Sequence, residues 1–135
     1  MKALVVSYVD GITEEIKEVL KKYDCHMNID TSVDICHARH HITMKEYDIL
    51  VIDMMTQFDD NYCIGPLLKP ALDFLSSITK SSKINKPKKV FALFDECETG
   101  DKGKDIVLNL GYKIANFSFA SMQWRRELLK YMEDE

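Results

Sequence analysis

The chain has no apolar run long enough to span a membrane, no clustered basic face, no CxxC pair and no G-x-S-x-G elbow. A spanning helix needs about 20 apolar residues, so insertion into a bilayer is not expected. The segment after Met1 is too short and too strand-like for a signal peptide. Lysine and arginine number 18 against 22 aspartates and glutamates, a net charge of −4. Binding to nucleic acid at large calls for a clustered basic surface, so that class is set aside. The one basic stretch, Lys80, Lys83, Lys86, Lys88 and Lys89, precedes an apolar segment and reads as a solvated linker. The four cysteines, Cys25, Cys36, Cys63 and Cys97, are expected to be reduced thiols of a cytoplasmic protein. No serine or cysteine has a His–acid partner visible in the sequence, so nucleophilic catalysis finds no support.

What is present is a core. Hydrophobic residues make up 46% of 135, which argues against disorder and for one domain. Lys2–Ser7 reads as a buried strand. A turn over Tyr8–Ile12 follows, then a helix opening at Thr13-Glu14-Glu15, with Ile16, Val19, Leu20 and Tyr23 on one stripe. Thr13 is the expected cap. Cys25–Thr31 reads as a second strand, and Ser32–Lys45 as polar and irregular with a helical turn or two. Tyr47–Asp53 is the clearest buried strand, followed by a long loop over Met54–Gly65. Leu68, Leu72, Leu75 and Ile78 share a helical face, with Pro70 acceptable in the first turn. Val90–Phe94 is a strand, Asp95–Gly103 an acidic loop, and Lys104–Leu110 a helix that Gly111 stops. Tyr112–Phe117 and Ser121–Met132 close the chain as strand and helix.

Strand and helix alternate about five times, and the central strands are continuous apolar runs. That pattern predicts a parallel sheet covered on both faces. In such folds, the turn from a strand into a helix gathers backbone N–H groups that can hold an anion.

On these residues the chain resembles the flavodoxin family over nearly its whole length. Met1–Val6, Tyr47–Ile52, and Pro70–Leu75 with Lys86–Phe94 look closest to the flavodoxin-like domain of flavodiiron (A-type) flavoproteins. The resemblance implies a three-layer α/β/α sandwich with a five-stranded parallel sheet in order 2-1-3-4-5. It further implies flavin mononucleotide (FMN) as cofactor and electron transfer with a redox protein partner. The family's phosphate loop reads T/S-x-T/S-G-x-T, and the matching stretch is Tyr8, Val9, Asp10, Gly11, Ile12 and Thr13. Gly11 and Thr13 are kept, whereas Asp10 replaces a hydroxyl. At about 4 Å a carboxylate repels a like charge by about 1 kcal/mol in water and several-fold more when buried. The resemblance places Thr56, Gln57, Phe58 and Tyr62 against the flavin ring, with a third loop of Asp95, Glu96, Cys97 and Gly100.

The expected carboxyl edge also gathers Asp10, Asp53, Asp59, Asp60, Asp95, Glu96 and Glu98. Crowded carboxylates raise one another's pKa unless a cation stands among them. Tyr47–Met55 looks like the phosphoacceptor strand of response-regulator receiver domains, which share the topology, and Asp53 would then be the acceptor. Receivers carry two acidic residues after strand one, a Ser or Thr after strand four and a Lys after strand five. This chain has Ser7-Tyr8, Asp95 and Asn116-Phe117-Ser118 there.

All four histidines lie in Cys25-His26 and Cys36-His37-Ala38-Arg39-His40-His41. Thiolate and imidazole suit zinc, but the spacing fits no standard zinc pattern. A His-rich surface loop is the expectation, and a helical turn would bring Cys36 beside His40. Two functions follow from the sequence: FMN binding with electron transfer, or a degenerate flavodoxin-like or pseudo-receiver module acting in regulation. The exposed aromatics of the second loop would suit a homodimer contact.

Overall fold

The computed structural model describes residues 1–59, 68–81, 85–95 and 101–134. Strands β1 (Lys2–Val6), β2 (Asn28–Ser32), β3 (Ile49–Asp53), β4 (Lys89–Asp95) and β5 (Lys113–Phe117) alternate with five helices. These are α1 (Asp10–Tyr23), α2 (Ile35–Met44), α3 (Lys69–Lys80), α4 (Asp101–Asn109) and α5 (Gln123–Glu133). All strand pairs are parallel, as the alternation predicts, and the order β2-β1-β3-β4-β5 is the one that the flavodoxin-like resemblance implies. The layers are helix, sheet and helix.

The continuous apolar runs have a simple cause: both faces of the sheet are covered. Leu4 and Val6 of β1, Leu50 and Ile52 of β3, and Ala92 and Phe94 of β4 pack with residues of α2, α3 and α4. The alternate residues, among them Val5, Val51, Phe91 and Leu93, pack with Ile16 and Leu20 of α1 and Trp124 and Leu128 of α5. Each such side chain fully buried contributes about 1.5–3 kcal/mol. Trp124 is the largest of them, and its indole N–H donates to the Ser118 carbonyl at 2.9 Å, so its polar atom is satisfied.

Three sequence expectations need correction. Residues 32–45 are not irregular: α2 runs ten residues, with Ile35, Ala38 and Ile42 buried along one face. Asp34 caps it, accepting the His37 N–H at 2.7 Å. Thr13 is not the cap of α1. The helix begins three residues earlier, its cap position is Val9 with no side-chain bond, and Thr13 is buried inside the first turns. The acidic loop after β4 does not reach Gly103, which is buried within α4. A Cβ there would lie 2.9 Å from Leu68 Cδ1, so glycine permits α4 to approach α3. Gly111 has φ +90° just past α4, the helix-stopping role expected of it.

Candidate functional site

Parallel topology brings the loops after β1, β3, β4 and β5 to one edge of the sheet, and the chemistry-bearing residues lie there. Asp53 is the last residue of β3 and is buried. Its Oδ2 accepts the Ser7 hydroxyl at 3.0 Å, and its Oδ1 accepts the Met55 N–H at 3.1 Å. The Ser7 Oγ in turn accepts the Val9 N–H at 3.2 Å. The loop after β1 is thereby tied to the loop after β3. Burial pushes the Asp53 carboxyl above the ordinary aspartate range. The bonds from Met55 and Ser7 oppose that shift, and the charge of Asp95, at the end of β4, adds to it.

The stretch matched to a phosphate loop sits differently from expectation. Asp10, Gly11, Ile12 and Thr13 are not loop: they form the first turn of α1, and only Ser7–Val9 connect strand to helix. The Ile12 and Thr13 N–H groups already donate to the Val9 carbonyl, each at 3.1 Å. Asp10 and Tyr8 are exposed. The ring of Phe119, from the loop after β5, rests 3.5 Å from the position of a Cβ on Gly11. A carboxylate and an apolar ring at this turn make a poor cradle for the phosphate of FMN.

In the loop after β3, Thr56 is fully buried, and its Oγ1 is the one buried side-chain polar atom among the described residues that lacks a hydrogen-bond partner. Gln57 and Phe58 lend their carbonyls to the Ile35 and Cys36 N–H groups at 2.9 and 2.8 Å. These bonds seat the loop on the start of α2, a function that sequence reasoning did not assign to it. The Phe58 side chain stays exposed. Asp95 is exposed at the end of β4. Tyr62, Glu96, Cys97 and Gly100, with Asp60, Cys63 and Glu98, lie outside the described residues.

The Cys/His constellation does not assemble. Cys25 and His26 lie in the turn before β2 and Cys36, His37 and His40 after it, so β2 separates the two groups along its length. Cys36 and His40 do fall one turn apart on α2, both exposed. His37 Nδ1 is instead 2.7 Å from the buried Asp34 carboxylate. Among the described residues, no three His, Cys, Asp or Glu side chains converge as metal ligands. Nor is any described helix long and apolar enough to cross a membrane. A polar cleft of about 290 Å³ lies beside β5 and α5, lined by Lys104, Asn116, Ser118, Ser121, Gln123 and Glu127. Among the described residues, none from the loops after β1 and β3 lines it.

No family model matches the chain, and no curated protein matches it in sequence. Solved structures do match in shape. A signal receiver domain of a histidine kinase from Clostridium thermocellum is similar at TM-score 0.73 and 12% identity, over 97% of this chain and 93% of that one. The receiver domain of RcsB from Salmonella enterica serovar Typhimurium, solved with the phosphomimetic BeF3−, gives 0.72 and 13%, over 100% and 90%. The chemotaxis response regulator CheY4 of Vibrio cholerae gives 0.65 and 16%, over 96% and 95%. These neighbours are receiver domains rather than flavodiiron flavoproteins, which corrects the finer family resemblance. At such identities the likeness establishes the fold, a flavodoxin-like α/β sandwich of the receiver type.

Proposed function

We propose that this chain is a receiver-shaped module without phosphoryl-transfer chemistry, which works through contact with a regulatory protein partner. The observation that carries the reading is the setting of Asp53. Its position at the end of β3 matches the receiver acceptor, but its carboxylate is buried and engaged by Ser7 and Met55. The residues that would support acceptor chemistry are replaced. Ser7 and Tyr8 stand where receivers carry an acidic pair that binds a cation. Asp95 stands where they carry a hydroxyl, and Ser118 follows β5 where they carry a lysine. An acyl phosphate formed on Asp53 would face the Asp95 charge with no lysine from the β5 end to offset it.

The test is intact-mass measurement after incubation with acetyl phosphate and Mg2+, paired with amide NMR spectra on adding beryllofluoride. The reading expects an unmodified mass and unchanged spectra. An adduct that disappears in Asp53→Asn would overturn it. Binding of FMN is checked alongside, by the visible spectrum after mixing and desalting. A retained flavin band would restore electron transfer as the leading function.

A further inference from the structure

β5 is the last strand of the sheet, so its outer edge pairs with no other strand. Helix α4 packs on one face of the sheet and α5 on the other. The polar cleft described above lies where the two faces meet around that edge. Lys104 lines it from α4, Asn116 from β5, Ser118 and Ser121 from the loop after β5, and Gln123 and Glu127 from α5. Ile114 and Ala115 of β5 complete the wall.

The loop is held in place. The Ser118 carbonyl accepts the Trp124 indole N–H at 2.9 Å and the Ser121 N–H at 3.3 Å. The Ser121 carbonyl accepts from Arg125, which pairs with Glu15 at 2.6 Å. Both serine side chains serve as acceptors, Ser118 Oγ for the Ala120 N–H at 3.3 Å and Ser121 Oγ for the Gln123 N–H at 3.1 Å. Their hydroxyl protons go to no acceptor among the described residues, and the Asn116 and Gln123 side-chain amides are likewise unengaged there. The cleft therefore offers several uncommitted donors.

Two opposite charges complete it. The Lys104 ammonium lies 5.9 Å from the centre of the Phe94 ring. Among the described residues, neither Lys104 nor Glu127 forms an ion pair, with each other or with any third group. Lys113 and Lys130 share an adjoining cleft with Glu127, yet both stay outside ion-pair distance of it.

Size and charge select the ligand. A volume of about 290 Å³ equals that of about ten waters of liquid, which is room for about ten heavy atoms and too little for a nucleotide or a flavin. Lys104 and the two hydroxyls suit a carboxylate. Glu127 stands one turn along α5 from Gln123, about 5–6 Å away, so it repels a polyanion and suits an ammonium group. Ile114 and Ala115 leave an apolar surface for a short side chain. We infer that the cleft around the β5 edge binds a small free amino acid, its carboxylate on Lys104, Ser118 and Ser121 and its ammonium on Glu127. The inference goes beyond the reading of Asp53 and does not depend on it.

The full chain is titrated with free amino acids, and amide NMR shifts are followed. Each amino acid is compared with its N-acetyl form, which lacks the ammonium, and its carboxamide, which lacks the carboxylate. At least one free amino acid is expected to shift residues 104, 114–118 and 121–127 with a Kd of about 1 mM or tighter. Both blocked forms should bind about tenfold more weakly. Lys104→Met should weaken binding by about tenfold with an unchanged circular dichroism spectrum. Glu127→Gln should weaken the free amino acid and close its gap to the N-acetyl form, which damage to the fold alone would not do. Absence of shifts with every amino acid at about 10 mM would overturn the inference. So would shifts confined to other parts of the chain, an N-acetyl form that binds as tightly as the free one, or acetate or phosphate binding as tightly as the amino acid. The blocked-form comparison uses the native chain, so it decides the matter even where a variant fails to fold.

Discussion

Toward the amino ends of the strands, aspartates are held by donors. Asp30 accepts the Tyr47 hydroxyl at 2.7 Å and the Lys45 ammonium at 3.0 Å. Asp48 accepts the Lys2 N–H at 2.8 Å and pairs with Lys88 at 3.2 Å. Both carboxyls sit below the ordinary range, Asp30 chiefly through Tyr47 and Asp48 chiefly through Lys2. Tyr47 is pushed up in turn, by burial first and then by Asp30. At the carboxyl end the same residue type meets the opposite fate: Asp53 is raised by its own burial, with Asp95 adding to the shift. One end of the sheet closes on itself with complementary charges. The other keeps a buried carboxylate, Asp53, whose ionised form burial disfavours, an arrangement that costs stability at neutral pH. Strained or unfavourable local choices of this kind are where function is expected.

The comparison can be broken in order of effect. Tyr47→Phe removes a hydrogen bond to a charged acceptor and should lower stability by about 2 kcal/mol in urea unfolding at pH 7. Lys89→Met removes the ammonium that bonds the Tyr131, Met132 and Asp134 carbonyls at the end of α5 and lies over the Tyr131 ring. It should cost about 1–2 kcal/mol. At the carboxyl edge the sign reverses. Asp53→Asn can still accept from Met55 and can donate to the Ser7 oxygen, so it should gain about 1 kcal/mol at pH 7. A raised folded-state pKa means that the ionised carboxylate opposes folding at neutral pH. That opposition fades as pH falls through the folded-state value toward the unfolded one, so the gain should vanish near pH 4. Asp30 and Asp48 act the other way: their stabilisation is complete above the unfolded value and is lost as pH falls below about 4. The smallest effect is at the rim, where Tyr8→Ser and Phe58→Ser should each change stability by no more than about 0.5 kcal/mol, as free surface residues do.

The sheet was legible in the sequence because burial on both faces writes itself as unbroken apolar runs, as at Ile49–Ile52 and Val90–Phe94. Asp53 was legible as the polar residue that ends such a run. The helix α2 was readable too. Asp34 precedes the stripe Ile35, Ala38, Ile42, but His37, His40 and His41 drew attention to metal chemistry instead. The start of α1 was misplaced because Asp10 and Gly11 look like turn residues, and no local signal says that Val9 takes the cap position. The remaining site contacts are long-range. That Phe119 covers Gly11, and that Arg125 reaches Glu15, follows from α1 and α5 sharing one face of the sheet. No periodicity in the chain encodes those contacts.

The contrast between the two ends is tested most directly by a side-chain carboxyl NMR titration that follows Asp30, Asp48 and Asp53 together. The account predicts that Asp53 titrates above the ordinary aspartate range while Asp30 and Asp48 titrate below it. An Asp53 that titrates at or below Asp30 would contradict it.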